Sequence, residues 1–133
     1  MAAELDERER AILTGGNLAH LATLRRDGSP HVSPVWVDVQ GDLVVVNSAE
    51  GRAKVDHVRR DPRVGVSVAA RDSDFRTVAI RGTVVEVTTE GAWDHAHAMA
   101  RRYLGQDRYT FGAPGEVRVL IRIRPDRVDS IFM

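Results

Sequence analysis

Apolar and polar residues alternate along much of this chain, and a period of two predicts strands joined by short turns. Residues 18–26 alternate in this way, Asp27-Gly28 supplies a hairpin turn, and residues 30–39 return as a second strand. In that second strand Val35, Val37 and Val39 share one face. Ser33 interrupts the same row, while Val32, Pro34, Trp36 and Asp38 point the other way. Pro34 cannot donate a ladder hydrogen bond, so it predicts an edge, a bulge, or a place where backbone faces a ligand. After the turn Gln40-Gly41-Asp42, residues 43–47 form a continuous apolar strand. Further strands are predicted over 63–70, over 75–87 with a bend at Gly82, and over 116–124 and 127–132, the last two separated by Pro125-Asp126.

Three segments carry a helical period instead. Residues 6–13 stop at Gly15-Gly16, and residues 52–60 stop at Asp61-Pro62, because proline disfavours helical geometry in the residue before it. Residues 90–104 are predicted to be capped by Thr88 or Thr89 and closed by Gly105, with a buried stripe through Trp93, His97, Ala100 and Leu104. About six strands and three short helices, mostly joined by tight turns, imply a mainly β, antiparallel barrel in one domain spanning residues 1–133.

The strand over 43–47 runs into NSAEGRAKVDHVRRDPR, residues 47–63, where Arg52 and Lys54 fall in the first turn of the second helix. Helix starts carry N–H groups without partners and the positive end of the dipole, so cations there are poorly placed unless an anion sits between them. Lys54 is the one lysine among 19 basic residues. A compact, flexible ammonium at this position suits charge pairing with a phosphate, although codon bias would produce the same imbalance.

Composition narrows the classes. The formal net charge is zero and aromatics are 5% of the chain, which argues against a dedicated nucleic-acid binder. Cysteine is absent, which excludes disulfides, thiolate metal sites and cysteine nucleophiles. No apolar run approaches bilayer-spanning length and the N-terminal sequence is acidic and polar, so no membrane association and a cytoplasmic location are expected. A chain this short is expected to need a partner subunit's surface to enclose a large cofactor, hence a homodimer.

The run DGSPHVSPVWVDVQGDLVVVNSAEGRAKVDHVRRDPRVGVSV, together with RGTVVEV, resembles the pyridoxamine 5'-phosphate oxidase-like, FMN-binding split β-barrel superfamily, and within it the oxidoreductases that use the deazaflavin coenzyme F420. The resemblance implies a split β-barrel of six antiparallel strands and a homodimer with a cofactor site at the subunit interface. Carried over by position, Val32, Ser33, Pro34, Val35 and Trp36 would border the tricyclic ring. Asn47, Ser48 and Ala49 would follow the ribityl chain, and Arg52, Ala53 and Lys54 would hold the phosphate. The implied cofactor is F420 (8-hydroxy-5-deazaflavin), with FMN as the alternative. The implied reaction is hydride transfer from deazaflavin C5 to a small electron-poor conjugated molecule of quinone, enone or tetrapyrrole type. A non-catalytic flavin or deazaflavin carrier is the remaining alternative. Members that oxidise pyridoxamine phosphate place basic residues in the strand equivalent to HVSPVWV, and this strand has no Arg or Lys. A polyanionic cofactor tail would call on Arg76, Arg81, Arg118, Arg122 and Arg124, although alternating arginines also describe a solvent face.

No catalytic residue is assigned. His31 is the one titratable group in the ring-binding strand and could protonate a reduced substrate, but it is placed first as a surface or hydrogen-bonding residue, and His20 as structural. His95 and His97 stand two apart on a helix and point to different faces, so no metal site is expected. Trp36 is read equally as ring wall and as packing, and Trp93 as helix packing. Tyr103, Tyr109 and Phe111 offer a lid over the substrate or a packing contact, Tyr109 and Phe111 from the long loop over 106–115.

Overall fold

The computed structural model describes residues 2–133. Its frame is one antiparallel sheet of seven strands: β1 (Ala19–Leu24), β2 (Pro30–Val35), β3 (Val37–Gln40), β4 (Leu43–Ala49), β5 (Arg63–Ala70), β6 (Ser73–Thr88) and β7 (Arg118–Phe132). The strands lie in the order β2-β1-β5-β6-β7-β4-β3. Three helices pack against them, α1 (Glu7–Thr14), α2 (Ala53–Arg60) and α3 (Ala92–Leu104).

The outermost strands, β2 and β3, are consecutive in sequence and separated by Trp36 alone. The sheet therefore curls until its two edges meet at one residue, without a ladder of hydrogen bonds closing the seam. The predicted single strand over 30–39 is thus two strands at opposite edges of the sheet, and the count of six strands is corrected to seven in one open sheet. Breaking a strand leaves a backbone N–H and C=O to satisfy. At the seam the Tyr103 hydroxyl accepts from the Val37 N–H at 2.9 Å and donates to the Asn17 carbonyl at 2.8 Å.

The core lies inside the curl, where alternate residues of each strand meet. Leu21, Val37, Val44, Val46, Val66, Val68, Val78, Val119, Ile121 and Ile123 are almost fully buried there, with Leu13 and Val55 closing it from α1 and α2. At the other end of the chain the predicted pair 116–124 and 127–132 is one strand, β7. Pro125 lies opposite Gly82, where the register shifts, so the missing proline N–H falls at an irregularity. Asp126, the extra residue, accepts from Thr83 Oγ1 at 2.5 Å and Arg124 Nε at 2.8 Å.

Helix α3 begins two residues later than its sequence suggests. Its N-cap is Gly91 at φ 71°, with no side-chain cap; Thr88 instead accepts from the Glu90 N–H. Its buried face is Ala92, His95, Ala96, Met99 and Ala100. Trp93 and Leu104, expected in the stripe, are 40% and 43% exposed. The face is turned because small Ala residues let the helix approach the sheet closely, while the bulky groups remain at its flank.

Candidate functional site

Where β4 ends, Asn47, Ser48 and Ala49 carry the chain through Glu50 and Gly51, at φ 88°, into the start of α2. Arg52 is the N-cap and makes no capping bond with its side chain. Ala53 and Lys54 follow as the first helical residues, so their N–H groups have no partner within the helix. This junction forms one end of a cavity of about 470 Å³.

Seven of the residues singled out from sequence line that cavity together: Pro34, Val35, Trp36, Asn47, Ser48, Arg52 and Lys54. Four do not. Val32 points outward and is 60% exposed, and Ala49 is buried. Ser33 alternates away from Pro34 and its hydroxyl is buried without a partner among the described residues. Ala53 lies on the other side of the helix start, in a shallow recess with Arg25, Arg26, His57 and Arg60.

The cavity has two chemically distinct ends. One is apolar and aromatic, with Leu18, Pro34, Trp36, Met99, Leu104 and Phe111 among its lining. Trp36 stacks on Tyr103 at 5.0 Å between centroids and 11° between planes, and Tyr109 meets Trp36 edge-on at 6.1 Å. The other end is cationic. Burial, then the positive charges of Arg52 and Arg118, lower the pKa of Lys54, and no carboxylate counts among the groups acting on it. Lys54 and Arg52, neither in an ion pair among the described residues, leave room for an anion beside Arg118, whose charge is shared with Glu116.

Arg118 is the residue that sequence reasoning left undifferentiated. It sits in an alternating series with Arg122 and Arg124, but its neighbours face solvent: Arg122 pairs with Glu86 and Arg124 with Asp126. Arg118 is 7% exposed, donates to Asn47 Oδ1 from Nε at 2.9 Å and Nη2 at 2.6 Å, and pairs with Glu116 at 3.2 Å. Its guanidinium lies 4.6 Å over the Tyr109 ring. The wider basic groove expected for a polyanionic tail is not assembled from this series, and Arg76 is paired with Asp72. Arg59, too, is taken up by Glu50 through bonds of 2.7 and 2.5 Å.

Behind the cationic end lies a buried polar chain. Asn47 Nδ2 donates to the Ala92 carbonyl at 2.8 Å and lies 3.1 Å from His95 Nδ1. His95 Nε2 is 3.0 Å from Asp38 Oδ2, and Arg102 Nη1 donates to Asp38 Oδ1 at 2.8 Å. Burial pushes the Asp38 carboxyl up, but the bonds from His95 and Arg102 outweigh it and hold the group at about 2. His97 is separate from His95, accepting the Tyr109 N–H at its Nδ1. His31 faces the His57 ring at 5.2 Å, away from the cavity, and His20 is exposed.

The pyridoxamine 5'-phosphate oxidase family model matches residues 5–132, and the chain belongs to that family. Among solved structures it is similar to an F420 reductase, at 26% identity and a TM-score of 0.81, over 94% of this chain and 98% of that one. It also shares its fold with a conserved hypothetical protein from Mycobacterium tuberculosis, at 23% identity and a TM-score of 0.75 over 98% of this chain and 86% of that one. An FAD-binding protein from Mesorhizobium loti matches at 23% identity and a TM-score of 0.64, over 96% of this chain and 95% of that one. No described helix is long and apolar enough to cross a membrane.

Proposed function

We propose that this chain is an F420-dependent oxidoreductase that reduces a small, electron-poor conjugated molecule of quinone, enone or tetrapyrrole type. The observation that carries the proposal is the two-ended cavity, with Pro34 to Trp36 at its apolar end and Arg52, Lys54 and Arg118 at its cationic end. That arrangement suits a planar ring joined to a phosphate through a polar chain, for which Asn47 and Ser48 supply the middle. The likeness to an F420 reductase over nearly the whole of both chains favours the deazaflavin.

When bound, a deazaflavin supplies the hydride, so the protein's task is to bind, orient and exclude water. Pro34 presents a surface without an N–H donor, and Trp36, backed by Tyr103, gives a flat wall. Lys54 and Arg52 hold the phosphate with the free N–H groups of α2. A homodimer would bring a second surface to the cavity mouth, where Leu18, Leu104 and Phe111 are exposed.

A cluster of three cations also accommodates the doubly charged phosphate of FMN, which makes FMN the second candidate. Fluorescence titration with F420 and with FMN separates them. Arg52→Ala and Lys54→Ala are each expected to weaken F420 binding by about 1–3 kcal/mol while the protein stays folded. Tight FMN binding without F420 binding would overturn the assignment, and equal affinities in wild type and both variants would remove the phosphate site. Turnover with quinones and enones then distinguishes an enzyme from a carrier.

A further inference from the structure

Arg118 bonds to Asn47, and Asn47 bonds in turn to His95, a side chain that does not line the cavity. Asn47 can be placed in its pocket only one way round. A guanidinium has donors and no acceptor, so the Arg118 Nε and Nη2 groups require the amide oxygen, and the Ala92 carbonyl requires the amide nitrogen. The second N–H of that nitrogen faces His95 Nδ1 at 3.1 Å, which makes Nδ1 an acceptor. The proton of His95 then sits on Nε2, facing Asp38 at 3.0 Å. One continuous set of bonds thus runs from Arg102 through Asp38, His95 and Asn47 to Arg118 and Glu116.

We infer that His95 is a positioning residue for the cationic end of the cavity. Held as the Nε2–H tautomer, it joins the Ala92 carbonyl in holding Asn47 with its oxygen toward Arg118, and Asn47 in turn holds the guanidinium at the cationic end of the cavity. This rests on the proposed phosphate site. A buried histidine with a purely structural role would contribute to stability through both ring nitrogens alike. Positioning makes a sharper demand, because binding depends on the acceptor at Nδ1 and not on the donor at Nε2.

Two substitutions separate these roles. In His95→Asn the amide oxygen falls near the Nδ1 position and keeps an acceptor for Asn47, while the bond to Asp38 is lost. In His95→Gln the longer amide reaches Asp38 and leaves Asn47 without its acceptor. F420 affinity is expected to fall about tenfold in His95→Gln and to stay near wild type in His95→Asn. The thermal midpoint should fall more in His95→Asn, which leaves Asp38 short of a donor. Affinities that follow the thermal midpoints, or two variants that bind like wild type, would overturn the inference.

A second readout needs no cofactor. In the apo protein, nitrogen NMR should show His95 protonated at Nε2 with a bare Nδ1. The Arg118 Nε–H should be protected from solvent exchange in wild type and His95→Asn but not in His95→Gln. The opposite tautomer, or equal protection in all three, would overturn the positioning role. A wild-type protein that binds no F420 but shows the predicted protection pattern would overturn the proposed cofactor while leaving the geometric link intact.

Discussion

At the proposed phosphate site, the lowered pKa of Lys54 has a consequence for binding. Burial and two neighbouring guanidinium groups disfavour its ammonium, whereas a bound phosphate favours it, so anion binding raises the pKa again. Affinity is therefore full below the free protein's Lys54 pKa, which lies under 10.5, and declines as pH rises through it. Titrations on the alkaline side should show this fall in wild type and a weak, flat profile in Lys54→Ala. Asp38 has the opposite sign. Its carboxyl is depressed from 3.8 to about 2, so it stabilises the fold above the unfolded value and that contribution is lost as pH falls through the folded one. Denaturation of Asp38→Asn should cost about 2 kcal/mol at pH 7, with most of the difference gone by the acid end of the window between about 4 and 2. Sequence made Arg52 and Lys54 legible because a solitary lysine at a helix start is a local anomaly. It did not single out Arg118, since Arg118, Arg122 and Arg124 look alike until strand register and pairing distinguish them. The Asp38–His95 contact spans 57 positions and has no local signature.

Strands and turns were legible wherever the period of two governs local burial, and the elements missed are those decided by distant partners. Residues 30–39 read as one strand because nothing in that stretch reveals that Val35 pairs with Ala19 on β1 while Val37 pairs with Val46 on β4. The reverse error splits β7 in two, where Pro125 looks like a break and is accommodated because Gly82 lies across from it at a register shift. Gly82, which the sequence marks as a bend, lies at the register shift of β6, and the packing supplies the reason. A Cβ there would lie 2.5 Å from Ile123 Cγ2 and 2.9 Å from the Arg124 carbonyl oxygen. Gly82→Ala should accordingly destabilise the fold by about 1–3 kcal/mol, measured by chemical denaturation, since two rigid strands must part. Unchanged stability would mean that the β6–β7 crossing gives way freely. In α3 the helix was visible but its phase was not, because alanines compete with larger side chains for the face that packs on the sheet.

At the scale of the molecule, a sheet whose edges meet at Trp36 places a hydrophobic wall from β2 beside a strand-to-helix junction from β4, although the two are far apart in the strand order. One cavity results, open toward a surface carrying Leu18, Leu104 and Phe111. Sedimentation equilibrium should return twice the chain mass of 14.7 kDa if a second copy covers that surface, and a monomer would leave the apolar mouth exposed to water. If the two ends of this cavity hold the two ends of one cofactor, a crystal structure of the protein with F420 should show the ring beside Pro34 to Trp36 and the phosphate within hydrogen-bond distance of Lys54 Nζ and Arg52; phosphate density in the outer recess by Arg25, Arg26 and Arg60 would rule that arrangement out.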